Sequence, residues 1–206
     1  MNQIRVHAHN ISKTFNRRKI FQDISFSLTS PTSFAITGKN GAGKSTLAKI
    51  VAGLLSPTSG EMMYELDAQP LDEEARKDHI GFVSPYLNLY DEFSAMENLF
   101  LLLRMRVDNS TSESTLEELL KRFNLWNRRD DAVRGYSTGM KQRLKYVFAL
   151  SHSPRVLILD EPTTNLDDDG IKVVEEVVKE QKRSSLLVVA TNDSAEAGWC
   201  EAGVQL

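Results

Sequence analysis

An octet, Gly38-Lys39-Asn40-Gly41-Ala42-Gly43-Lys44-Ser45, follows a short apolar run and precedes a helical stripe of Leu47, Ile50, Val51 and Leu54. Backbone N–H groups reach a polyphosphate closely only where β-carbons are absent, which the glycines supply. A helix opening directly behind such a turn adds the positive end of its dipole. The chain must therefore place a strand (Phe34–Thr37), a tight turn and a helix (Lys44–Leu54) in succession, an arrangement that holds a nucleoside triphosphate. In that arrangement Lys44 is expected to bridge the β- and γ-phosphates and Ser45 to ligate Mg2+, with Thr46 continuing the binding loop.

A second stretch, Val156-Leu157-Ile158-Leu159-Asp160-Glu161, has four aliphatic residues ending in two carboxylates. A buried parallel strand delivers its last residues to the carboxyl edge of the sheet, where α/β folds take their ligands. Asp160 is accordingly expected to hold Mg2+, directly or through water. Glu161 is expected to act as general base on the attacking water. The cofactors implied are ATP and Mg2+.

Around these two stretches the pattern alternates. Strands are expected at Ile4–His9, Ile24–Leu28, Glu61–Leu66 and Leu186–Ala190. Helical spacing puts Met96, Leu99, Phe100 and Leu103 on one face of a helix starting about Ser94. Leu116, Leu119, Leu120 and Phe123 mark another, introduced by Ser114-x-x-Glu117 in capping-box spacing. A third helix begins near Thr138 with Leu144, Val147 and Phe148 inward; a fourth turns Ile171, Val174, Val177 and Val178 inward. The pattern predicts an α/β fold with a parallel sheet covered on both faces, its core split by a helical insertion at roughly residues 86–140.

Composition removes other classes. The 206 residues suit one domain, and 25 basic against 28 acidic side chains leave a net charge of −3, no field for holding nucleic acid. Arg17, Arg18 and Lys19 read as a solvated turn. No apolar run exceeds five residues, whereas a bilayer span needs roughly 18–20. Met1-Asn2-Gln3-Ile4-Arg5 opens no signal peptide. Cys200 is the only cysteine, which leaves neither an internal disulfide nor a thiolate cluster. A cytoplasmic protein is expected.

Further motifs carry a family resemblance. Tyr136-Ser137-Thr138-Gly139-Met140-Lys141-Gln142-Arg143 resembles the L-S-G-G-Q-x-Q-R signature of ATP-binding-cassette (ABC) ATPases. Thr164-Asn165-Leu166-Asp167 is similar to that family's D-loop, and Phe15 stands where the family places an aromatic ring against adenine. The resemblance runs from about Ile4 to Asp193. It implies a single ABC ATPase domain over 1–206, mainly parallel in its sheet, with an N-terminal antiparallel β subdomain. Residues of about 1–85 and 141–206 would form the α/β core and 86–140 the helical subdomain. It also implies a head-to-tail dimer, in which Ser137, Thr138, Gly139 and Asp167 of one subunit complete the ATP site of the other. A homodimer is preferred to a heterodimer.

Three departures qualify the resemblance. Thr138 and Met140 replace a signature glycine and glutamine. Pro85 stands where the family usually has a glutamine that touches Mg2+ and water; proline offers neither amide nor N–H, so the role is vacant or passes to Ser84 or Asn88. Asn192 stands at the usual histidine. It can still donate to a γ-phosphate oxygen and is counted with Glu161 and Lys44 as catalytic, but it cannot carry charge, so slow hydrolysis is expected. The resemblance implies the ATPase subunit of a transporter, more like small exporters, driving a separate membrane permease from the cytoplasmic face. Tyr86, Leu87, Leu89, Tyr90 and Phe93 would surround the permease's docking helix. The alternatives are a family ATPase outside transport, or the weaker half-site of a heterodimer.

Overall fold

The computed structural model describes residues 3–104 and 111–206. Residues 1, 2 and 105–110, the last group within the expected helical insertion, lie outside the described residues. Strands β1 (Ile4–Phe15) and β2 (Arg18–Thr29) pair antiparallel, and β4 (Ser59–Leu66) and β5 (Gln69–Pro70) extend them to a sheet ordered β2-β1-β4-β5. Asn16 and Arg17 join the first two strands with φ of 47° and 66°, the left-handed pair that a tight hairpin requires. Arg17 thus sits in the expected turn. Arg18 and Lys19 already belong to β2, which starts six residues before the apolar alternation at Ile24 becomes visible.

A second, wholly parallel sheet runs β6 (Ile80–Val83), β7 (Val156–Asp160), β8 (Leu186–Ala190), β3 (Thr32–Thr37), β9 (Ala202–Gln205). Every residue of β7 and β8 is buried, as uninterrupted aliphatic runs demand. Their side chains alternate between two cores. Leu157, Leu159, Leu187 and Val189 face α2 (Ala95–Arg104), α3 (Glu113–Arg122), α4 (Thr138–Leu150) and α5 (Asp168–Ser184). Val156, Ile158, Leu186 and Val188 face α1 (Lys44–Val51) and the antiparallel sheet. Each such side chain contributes about 1.5–3 kcal/mol through burial, so a slip of one residue would invert both cores.

Register then builds the functional edge. Ile36 pairs with Ala190, Ala190 with Asp160, and Leu159 with Val83. The residues that follow, at 37–38, 191–192, 160–161 and 84, therefore emerge along one rim of the sheet.

Two helix ends differ from expectation. Helix α1 stops at Val51, three residues short, because Gly53 adopts φ 71°. Its N–H bonds Ile50 O at 3.0 Å, and the Leu54 N–H bonds Lys49 O at 2.9 Å. This left-handed closure turns Leu54 out to 60% exposure, not inward. At α3 the cap is Ser112, not Ser114: Ser112 Oγ accepts the Thr115 N–H at 3.2 Å. Glu117 is engaged instead by Lys121 at 2.6 Å, one turn on. A reciprocal capping box does occur, at α2, where Ser94 Oγ accepts from Glu97 N and Glu97 Oε2 accepts from Ser94 N.

Candidate functional site

The rim opens into a cleft of about 780 Å³. Its walls include Phe15, Asn40, Gly41, Gly43, Lys44, Ser45, Thr46, Glu161 and Asn192. Gly43, φ 106°, closes the turn at the head of α1, and a β-carbon there would lie 2.5 Å from Ile20 Cγ2; no other residue fits without displacing the hairpin. Ala42 N–H bonds Lys39 O at 3.1 Å, which holds the loop tightly curled. Lys44 is buried, and its Nζ donates to Gly38 O (3.0 Å) and Lys39 O (3.1 Å). The ammonium is thus parked within its own glycine loop.

Asp160 is fully buried. Ser45 Oγ donates to its Oδ1 at 2.8 Å and Ser84 Oγ to its Oδ2 at 3.0 Å. Burial raises the Asp160 carboxyl above its ordinary pKa, while the two hydroxyl bonds and the charges of Lys49 and Lys44 act the other way. A carboxylate and a serine hydroxyl, both hard oxygen donors, so share one position at the end of β7. That chemistry fits Mg2+ held jointly with phosphate oxygens. Of the two substitutes considered for Pro85, it is Ser84 that reaches Asp160; Asn88 is exposed in the following segment.

Glu161 takes φ 49°, which directs it from the strand end into the cleft, and Thr164 Oγ1 donates to its Oε2 at 3.5 Å. Asn192 Nδ2 donates to Asn40 Oδ1 at 2.8 Å, joining the loop after β8 to the glycine loop. Phe15 stands at the mouth, 44% exposed, with Lys13 Nζ 4.8 Å from the ring centroid.

One residue had no sequence signal. Glu196, in α6 (Ser194–Ala197), is buried in the wall of the cleft. Its carboxylate accepts the Thr163 N–H at 3.1 Å and the hydroxyls of Thr163 and Thr191. The loops that carry Glu161 and Asn192 are fastened to one side chain.

The 137–139 group lies elsewhere. Ser137 and Thr138 are exposed and Gly139 half-buried, and none of them lines the cleft. Ser137 caps α4, its Oγ accepting the Met140 N–H at 3.2 Å. A β-carbon on Gly139 would meet Asn165 O at 2.9 Å. Asp167 caps α5 through the Gly170 N–H and pairs with Arg143. Those contacts, the Gly170 bond foremost, hold its carboxyl below the usual carboxylate range.

A parallel sheet with a glycine loop, a lysine and a buried aspartate at its carboxyl edge defines a P-loop nucleotide-hydrolysing fold. Residues 21–164 match the family described as ABC transporter. The lantibiotic transport ATP-binding protein SrtF of Streptococcus pyogenes is 35% identical over 185 residues, 89% of this chain and 77% of that protein. The Nod factor export ATP-binding protein I of Bradyrhizobium diazoefficiens is 34% identical over 168 residues, 81% of this chain and 55% of that protein. A solved dimeric ATP-binding cassette in a post-hydrolysis state, bound to ADP and Pi, has a TM-score of 0.84 at 27% identity, covering 98% of this chain and 94% of that one. The chain belongs to the ABC transporter ATP-binding proteins and is an ATPase. ATPases of this family dimerise and pair with permeases. Among the described residues no helix is long and apolar enough to cross a membrane.

Proposed function

We propose that the chain is the ATPase of an exporter, acting from the cytoplasmic face on a separate membrane permease through ATP-dependent closure of a homodimer. The observation that carries the reading is a separation: Lys44, Ser45, Asp160, Glu161 and Asn192 converge on one cleft, while Ser137 stands exposed outside it. A triphosphate between two copies would bring these halves together. The name of the Nod factor export relative supports export as the direction, and that of the lantibiotic transport relative supports transport. In this reading residues of about 86–140 form the helical subdomain against which the permease docks, around the exposed rings of Tyr86, Tyr90 and Phe93.

The residues divide the work. The N–H groups of 38–46 cradle the phosphates, and adenine stacks on Phe15. Lys44 leaves the loop carbonyls for the β- and γ-phosphates. Ser45 and Asp160 hold Mg2+, which when bound offsets phosphate charge. Glu161 takes the proton of the attacking water as the bond to the bridging oxygen breaks. Asn192 donates to a γ-phosphate oxygen without adding charge. Ser137, Thr138, Gly139 and Asp167 grip the nucleotide of the other copy, and loss of the γ-phosphate removes what they hold.

Sedimentation of Glu161→Gln with ATP tests this. A homodimer that dissociates when ATP is replaced by ADP is expected; a monomer under both conditions overturns the reading, and a dimer only with a second, different ATPase points to the hetero-paired half-site.

A further inference from the structure

Lys145 lies in the middle of α4, yet it is only 7% exposed. Burying an ammonium is costly unless it is paired or fully hydrogen-bonded, and among the described residues no carboxylate lies within ion-pair distance of it. Its Nζ donates to two carbonyls, Ser84 O at 3.1 Å and Pro85 O at 2.7 Å. Four residues earlier on the same helical face, Lys141 Nζ meets Asp91 at 2.6 Å. Two lysines one turn apart thus grip both ends of the 84–91 segment. Gln142, which faces the same cavity of about 280 Å³, makes no hydrogen bond through its buried amide. Asn98 holds the far end as well, bonding Tyr90 N and O at 2.8 and 2.9 Å, so Lys145 is the attachment at the Ser84–Pro85 end.

The gripped turn is the one that delivers Ser84 Oγ to Asp160 Oδ2. Pro85 has no N–H with which to anchor itself. We propose that Lys145 is a positioning residue for ATP hydrolysis: from the signature helix it fixes the Ser84–Pro85 turn and so keeps the Ser84 hydroxyl on Asp160. The inference rests on Asp160 and Ser45 being the Mg2+ site. The burial cost of Lys145 is offset by two charge-assisted bonds. Methionine at 145 would fill the same space without making either.

Mn2+ serves as a spectroscopic probe. Its affinity is measured by electron paramagnetic resonance with AMP-PNP bound, and nucleotide affinity separately in EDTA. Lys145→Met is expected to weaken Mn2+ binding about tenfold, the size of one charge-assisted hydrogen bond, with nucleotide affinity in EDTA unchanged. Ser84→Ala is expected to do the same, and the double variant to go no further. Mn2+ affinity within twofold of the parent in Lys145→Met, or fully additive losses in the double variant, overturns the proposal. Should Lys145→Met fail to fold, Ser84→Ala decides alone, since unchanged Mn2+ affinity there leaves Lys145 nothing to position. Asp160→Asn separates the two readings: if it too binds Mn2+ as the parent does, the Mg2+ site itself is wrong; if only Asp160→Asn loses Mn2+, the site stands and the role of Lys145 fails.

Discussion

The cleft wall and the signature end of α4 are built in opposite ways. In the cleft the groups are already bonded to one another: Lys44 to its own loop, Ser45 and Ser84 to Asp160, Asn192 to Asn40. At the signature end Ser137 bonds only the backbone of its own helix and otherwise meets solvent. The first arrangement is preorganised, so little ordering remains when nucleotide arrives. The second has its serine hydroxyl in place and, among the described residues, no acceptor for it. In the proposed dimer the first surface binds the nucleotide and the second meets one carried by another copy.

Four substitutions press on that contrast, taken from the largest effect downward. Glu161→Gln should lower turnover by about 100-fold or more while leaving nucleotide affinity within about twofold, read by phosphate release and equilibrium binding; parental turnover would remove Glu161 as the base. Ser137→Ala should reduce turnover by about tenfold, one hydrogen bond to a charged group, with nucleotide affinity of the isolated chain untouched. A matching loss of affinity in the monomer would place Ser137 on the wrong side of the comparison. Asn192→His should raise turnover by about two- to fivefold, as a charge-capable donor replaces a neutral amide; no change would show that the asparagine does not limit the rate. Ser112→Ala sets the baseline. It removes from α3 the same kind of cap that Ser137 provides on α4, so thermal unfolding should show a loss of about 1 kcal/mol with turnover unchanged. Any excess in Ser137→Ala is then catalytic and not a matter of helix stability.

Much of this was legible in the residues. Gly38–Thr46 and Val156–Glu161 are constrained by chemistry that admits few alternatives, namely close backbone approach to phosphate and a carboxylate at the end of a buried strand. The parallel sheet followed from uninterrupted aliphatic runs such as Leu186–Ala190. Where the pattern fell silent, the cause is local. β6 is only four residues long and broken by Gly81, whose position is set by packing: a β-carbon there would lie 2.5 Å from Ala149 O. β9 is an edge strand with little buried side-chain surface, so it carries no apolar period. Leu54 was misplaced because a helical stripe does not reveal that Gly53 ends the helix. A lysine within an amphipathic helix reads as solvent-facing, and only the fold reveals that Lys145 points inward to a turn some 60 residues away in sequence. Glu196 left no trace at all, since its task is to receive hydroxyls from two loops that only tertiary structure brings together.

That carboxylate has a kinetic meaning. Because Thr163 and Thr191 are moored to Glu196, the carboxylate at 161 and the amide at 192 sit on loops tied to one side chain and do not drift independently. Within the protomer these two loops need not find each other, and the movement left is that of Lys44 from Gly38 O and Lys39 O. In the proposed homodimer a step that still involves a second molecule is closure on a neighbour, so dilution should slow each molecule even when every one of them carries nucleotide.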